Sequence, residues 1–292
     1  MQDLRDLECL IALARHQHFA RAAEHCGLSQ PAFSMRIRAL EERLKTRIVK
    51  RGNRFQGFTP EGETVLKHAK SILGQVRALE NDVQALPGET VGSLTIGVIP
   101  TAGAFAAKMA RGLADKHPGI KTRLETATSL AIQQGVDDGR FDCGLTYSEG
   151  VATDILEILP LYDERYALFA PAGLVKKYVD KLSWEDAASL PLILLETDMQ
   201  NRRIIDQVFR DTGRIPLVVA ETNGFMAAIL MAAEGLGATI VPEGLSEALG
   251  AIGQMQTLPL VEPTVEKSVC LVARRQEANV ATVEALKEHL LQ

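Results

Sequence analysis

At 292 residues, with 46% apolar and 24% charged side chains, the chain has an ordinary globular composition and room for two or three domains. No apolar run approaches the ~18 residues of a membrane span, and Met1 to Asp6 lacks the basic-then-apolar layout of a signal peptide, so a cytoplasmic location is expected. The net charge of −5 is uneven: residues 1–86 carry 14 basic and 10 acidic side chains, net +4, and 87–292 carry net −9. Eight basic residues fall between Arg36 and Arg54 with only Glu41 and Glu42 opposing them. That pattern predicts a nucleic-acid module on an acidic body. Cys9, Cys26, Cys143 and Cys270 are scattered without a CxxC pair, which predicts reduced, buried thiols and no metal centre; no cofactor is expected.

Leu4, Leu7, Leu10, Ile11 and Ala14 recur at helical spacing and predict a first amphipathic helix. Phe19 to Cys26 predicts a second, with Ala20, Ala22 and Ala23 permitting close approach, ended by Gly27 in a left-handed conformation. Ser29 is placed to cap a third helix with Pro31 in its first turn. Phe33, Ile37, Leu40 and Leu44 then form one apolar stripe. Gln30, Ser34, Met35, Arg36 and Arg38 lie off that stripe, where the N-terminal residues of a recognition helix meet base edges and flanking cations meet phosphate. Ile48–Val49 and Phe55–Phe58 around a Gly52-Asn53 turn read as a small hairpin, with Arg51 and Arg54 at its tip. Spacing alone leaves open a solvated cationic hairpin on a helical mini-domain.

The stretches "FARAAEHCGLSQPAFSMRIRALEERL" and "KRGNRFQGFTPEGE" resemble the winged helix-turn-helix of LysR-type transcriptional regulators. The resemblance implies a DNA-binding domain over 1–60, its helix-turn-helix at about 19–38, with base and phosphate contacts on Gln30, Pro31, Ala32 and Ser34. Met35 departs from the polar or basic residue often found there. Methionine touches a thymine methyl but cannot make the paired hydrogen bonds that Arg makes to guanine.

From Thr59 and Pro60 a long helix is predicted over 60–86. Val65, Ala69, Ile72, Val76, Leu79, Val83 and Leu86 step alternately by four and three, a heptad seam for a second helix, with burial against the chain's own domain as the alternative. The resemblance implies antiparallel pairing of two subunits here, a tetramer through the body, and an interrupted palindromic operator on double-stranded DNA. Residues 87–92, "PGETVG", are expected to form a hinge.

From Ser93, eight β-rich runs alternate with helical stretches at 102–116, 129–138, 199–212, 223–234 and 243–250, predicting mostly parallel α/β sheets. The resemblance implies a two-lobed effector domain of periplasmic-binding-protein type over 93–292. Crossings are expected near Leu161–Glu164 and Glu262–Lys267, giving lobes of 93–162 plus 266–292 and of 163–265. Strand-to-helix junctions carry Pro100-Thr101-Ala102, Thr128-Ser129, Thr197-Asp198 and Thr222-Asn223. Each reads as an N-cap or as part of a cleft at the strands' carboxyl ends; together they match positions where the family lines its effector site. Helix N-termini there favour a small organic anion, with Tyr147 as a wall and Arg202 or Arg203 as counter-charge or as solvated surface.

No GxSxG, GxxxxGK[ST], HExxH or GxGxxG occurs, and only His117 and His289 fall in the body, so no catalysis is expected. A branch of the family senses peroxide through a disulfide. Its reactive cysteine would fall within 194–209, which contains none, so the thiol-based reading stands as the alternative to a metabolite sensor. An RNA polymerase contact is implied if the regulator activates. A solute-binding or enzymatic module with an incidental helix-turn-helix is the third reading.

Overall fold

The computed structural model describes residues 3–50, 55–84, 90–249, 254–275 and 281–292. The chain divides into two units that meet in sequence at Gly92–Ser93.

The first unit is built from α1 (Leu4–His16), α2 (Phe19–His25), α3 (Gln30–Leu44) and α4 (Pro60–Gln84). Local chemistry sets each boundary. Asp3 Oδ1 accepts from the Arg5 amide at 3.0 Å to start α1, and Gly27 (φ +65°) supplies the left-handed turn after α2. Ser29 Oγ accepts from the Ala32 amide at 3.4 Å to start α3. Phe33, Ile37 and Leu40 are buried against Leu10, Leu13, Ala22 and Ala23, each large apolar side chain contributing on the order of 1.5–3 kcal/mol. The predicted hairpin is present as an antiparallel bridge between Val49 and Phe58, with the Lys50 amide donating to the Gly57 carbonyl at 3.0 Å. Its tip, including Arg51 and Arg54, lies outside the described residues. Thr59 caps α4 by accepting from the Gly62 amide at 3.0 Å. A Cβ at Gly62 would stand 2.1 Å from the Ile48 carbonyl oxygen, so only glycine lets α4 start this close to the hairpin.

The expected seam on α4 needs correction. Leu66, Ala69 and Leu73, one helical face at i, i+3 and i+7, are buried in the core with α1, and Val65 packs at its edge. Ala69 therefore belongs to the domain's own core, with 1% of its surface exposed. Further along, Val76 is half-buried, while Ile72 and Leu79 are exposed at 40% and 63%. Nothing is described of the Val83 side chain, and Leu86 and 87–89 of the hinge lie outside the described residues.

The second unit runs β1 (Gly92–Val98), a 3₁₀ turn (Pro100–Ala102), α5 (Gly103–Lys116), β2 (Ile120–Thr126), α6 (Ser129–Asp137), β3 (Cys143–Tyr147), β4 (Leu156–Pro171), α7 (Ala172–Val175), β5 (Leu182–Ser183), α8 (Trp184–Ala188), β6 (Pro191–Leu195), α9 (Gln200–Asp211), β7 (Leu217–Thr222), α10 (Phe225–Ala233), β8 (Ala238–Pro242), α11 (Glu243–Leu249), β9 (Met255–Val261), β10 (Glu266–Arg274) and α12 (Ala281–Leu290). Strand order is β2-β1-β3-β10-β4-β8-β6-β7, with β9 on β4 and β5 on β9. The parallel pairs are β1–β3, β6–β7, β6–β8 and β5–β9, whereas β10 and β4 run antiparallel to their neighbours. The sheets are thus more mixed than strand–helix alternation suggested, because β4 passes from one sheet to the other and β10 runs antiparallel to both of its neighbours.

β4 is the longer of these strands. It pairs with β10 up to Arg165↔Glu266 and with β8 from Tyr166↔Pro242, so it changes sheets between Arg165 and Tyr166. The change falls three residues after the 162/163 boundary expected from sequence, while β10 begins at Glu266 as the second crossing returns. A continuous buried core, including Leu145, Leu168, Trp184, Phe209 and Leu271, runs through both lobes. Among the described residues no helix is long and apolar enough to cross a membrane.

Candidate nucleic-acid interface and effector cleft

Gln30, Pro31, Met35 and Arg38 are exposed on α3, and Ala32 and Ser34 half-buried, while Phe33 and Ile37 between them hold the helix to the core. Met35 is 64% exposed, a large apolar side chain presented to solvent on α3. Arg36 is corrected. Its Nη1 donates to Asp6 Oδ1 at 2.8 Å and to Asp3 Oδ2 at 3.1 Å, folding the guanidinium back onto α1. Arg43 pairs with the other oxygen of Asp6, a carboxylate that is 3% exposed. A buried carboxylate demands such partners, so Arg36 has a structural duty on α1, with its side chain still 36% exposed.

In the second unit the predicted cleft residues separate into three groups. Thr101 and Tyr147 come together at the lobe junction. Tyr147 Oη lies 3.2 Å from Thr101 Oγ1 and donates to Glu164 Oε1 at 2.8 Å, with the Tyr166 hydroxyl at 3.4 Å. Burial pushes the Glu164 carboxyl up to about 7, against the lowering influence of the neighbouring Tyr147, Thr101 and Tyr166 hydroxyls, of which Tyr147 donates to it directly. Burial, reinforced by Glu164, pushes the Tyr147 and Tyr166 hydroxyls up, so both remain protonated donors.

Ser129 stands at the start of α6, where a second site opens. A cavity of about 650 Å³ is lined by Ser129 and Gln133 from one lobe, Gln200, Arg203 and Gln207 from the other, and Lys267 from the returning strand. Ser129 Oγ is buried without a hydrogen-bond partner among the described residues. Lys267 is already paired with Glu149 at 2.7 Å. Arg203 has no ion-pair partner among the described residues and is the available cation.

The remaining positions carry local duties. Thr128 Oγ1 accepts from the Ala131 amide at 3.3 Å as a helix cap, and Ala102 is fully buried. Pro100 and Thr222 are half-buried, and Thr197 and Asn223 are exposed. Arg202 is corrected: it is 8% exposed, with Nε on Asp206 at 2.8 Å and Nη1 on Glu221 and the Leu195 carbonyl, each at 2.6 Å. It ties α9 to β6 and β7 and has no charge to spare.

Two family models match the chain: the bacterial regulatory helix-turn-helix protein of the lysR family over residues 4–63, and the LysR substrate binding domain over 87–292. The chain belongs to the LysR family of bacterial transcriptional regulators. This LysR-type regulator is 34% identical over 238 residues to the SDS degradation transcriptional activation protein of Pseudomonas sp. (strain ATCC 19151), covering 80% of this chain and 77% of that one. It is 28% identical over 286 residues to a probable hydrogen peroxide-inducible genes activator of Streptomyces viridosporus, covering 97% and 91%. Its fold matches full-length OxyR from Pseudomonas aeruginosa bearing a cysteine-to-aspartate substitution (TM-score 0.74, 23% identity, 99% and 98% covered). It also matches full-length CbnR complexed with its target DNA (TM-score 0.70, 20% identity, 99% of each chain).

The regulator accordingly carries a DNA-binding head and an effector-binding domain. Sequence reasoning missed Glu164, Gln133 and Lys267 as cavity-lining residues. Glu164 had a signal: the order Asp163 exposed, Glu164 buried, Arg165 exposed, Tyr166 buried is strand alternation, which places the acid inside with the tyrosine.

Proposed function

We propose that this LysR-type regulator binds an interrupted palindromic operator as a dimer paired along α4 and responds to a small organic anion in the cavity between its lobes. The observation that carries the anion reading is the contrast between two neighbours. Arg202 is consumed by Asp206 and Glu221, whereas Arg203 lines the 650 Å³ cavity without an ion-pair partner among the described residues. Ser129 Oγ waits there as a polar group to satisfy, and the N-termini of α6 and α9 add positive potential. A carboxylate bridging Ser129 and Arg203 would hold the lobes together, because these residues come from opposite lobes. Exposed Ile72 and Leu79 support the pairing of α4 with a second copy. Assembly of two dimers, a change of DNA bend on lobe closure, and a polymerase contact if the regulator activates complete this reading. Selection of duplexes from a randomised pool tests the DNA half: enrichment of a two-fold symmetric site, lost in Gln30→Ala, is the expected result.

The names of several relatives favour a second reading, peroxide sensing by thiols. The cysteines argue against it. Burial pushes Cys9 up to about 12 and raises Cys143 and Cys270 as well, so these three are held as thiols. The α9 segment has no cysteine to serve as the reactive one.

A further inference from the structure

A second cavity, of about 420 Å³, lies between α5 and α11 and shares no lining residue with the Ser129–Arg203 cavity. One wall is aromatic: the Phe105 and Tyr162 rings lie against each other with centroids 4.9 Å apart and planes inclined by 32°. Five carboxyl side chains also line the cavity. Glu243 and Glu247 come from α11, Asp163 and Glu164 from β4, and Glu266 from β10. Only Lys108 and Arg165 oppose these five, and Arg165 is neutralised by Glu266, with Nε to Oε1 at 2.7 Å.

The buried member of the set points to what is missing. Glu164 is 4% exposed; its Oε1 accepts from Tyr147, but among the described residues Oε2 has no hydrogen-bond partner. A buried oxygen of this kind is costly unless a donor reaches it. A metal ion is a poor candidate, since no group of three or more acidic, His or Cys side chains among the described residues converges closely enough to hold one. Excess negative charge beside a paired aromatic wall suits instead a diffuse or hydrogen-bonding cation on an apolar body.

We propose that this cavity is a binding site for an organic cation, a primary ammonium on a ring-sized apolar body. Its nitrogen donates to Glu164 Oε2 within the field of Glu243 and Glu247, and its body covers the Phe105–Tyr162 pair. The site joins α5 of one lobe to α11 of the other across β4, so occupancy bears on the same lobe-to-lobe geometry as the anion cavity without using its residues.

Calorimetric titration of the full-length protein at pH 8 with phenethylamine, 2-phenylethanol and phenylacetate tests this, the three probes having similar bodies and different charge. Phenethylamine is expected to bind saturably with one site per chain, at least tenfold tighter than the alcohol or the acid. Glu164→Gln is expected to weaken it at least tenfold. A Glu243→Gln/Glu247→Gln double variant, altered away from the core, is expected to weaken it several-fold and serves if Glu164→Gln fails to fold. Arg203→Gln is expected to leave it unchanged, which separates this site from the anion cavity. Absence of saturable phenethylamine binding, equal binding of the three probes, or wild-type affinity in the carboxamide variants would overturn the proposal.

Discussion

Tyr147 Oη donates a 2.8 Å hydrogen bond to Glu164 Oε1, joining the end of β3 to the strand that changes lobes one residue later. The bond is buried, and its acceptor is a carboxyl held up to about 7 by burial. The strand crossing is thereby fastened through a buried titratable group, beside the exposed Arg165–Glu266 pair.

A pH dependence of stability follows. A carboxyl whose folded pKa exceeds its unfolded value stabilises the fold below the unfolded value, and loses that contribution as pH rises through the folded one. For Glu164 the window runs from about 4.5 to about 7. The cost of ionising it in place is on the order of 3 kcal/mol at pH 8. Glu164→Gln, which keeps an acceptor for Tyr147, is expected to melt above the wild type at pH 8 and to lose that advantage at pH 5. Thermal melts at the two pH values check this; an unchanged difference between them contradicts it.

Arg36 and Arg38 are expected to fail differently. Arg38 is exposed on α3, and Arg38→Ala should reduce the salt slope of operator binding by about one while leaving the melting temperature alone. Arg36 is held by Asp6 and Asp3, so Arg36→Ala should lower the melting temperature of the head and leave the slope unchanged. Asp6→Asn should destabilise further, by about 1.5–3 kcal/mol, since it breaks charge-assisted bonds to two arginines. Anisotropy titrations at several salt concentrations, alongside melts, separate the two roles.

The head was readable from sequence because its signals are local. A cap at Ser29, a left-handed glycine at 27 and the spacing of Phe33, Ile37 and Leu40 each act within a few residues. The α4 seam was only half readable: a heptad repeat says that one face is apolar, not which partner covers it, and α1 of the same chain claims Ala69. Consecutive arginines 202 and 203 looked equivalent in a junction motif. Adjacent helix positions point about 100° apart, and the i,i+4 spacing of Arg202 to Asp206 was the available sign that this one was taken. Local alternation marks Glu164 as inward-facing, but what it meets there depends on strand pairing 101 or more residues away in sequence.

The outer part of α4 should carry self-association. Ile72→Glu with Leu79→Glu places charge on the exposed apolar positions while sparing Leu66, Ala69 and Leu73 in the core. Sedimentation should show weaker assembly at an unchanged helix content. Wild-type assembly in the double variant would assign dimerisation elsewhere.

Met35→Arg is expected to move base preference at one operator position toward guanine, by about 1–3 kcal/mol of discrimination, because an exposed methionine makes only apolar contact there. Sequencing of selected duplexes for wild type and variant reads the change directly.

The anion cavity is tested most directly by melting the full-length protein in a panel of small organic acids, with Arg203→Gln beside the wild type. The account predicts that at least one acid raises the wild-type melting temperature in a concentration-dependent way, and that this shift disappears in Arg203→Gln while an Arg202→Gln control melts lower from the start. A panel that shifts nothing, or a shift that survives the loss of Arg203, would contradict it.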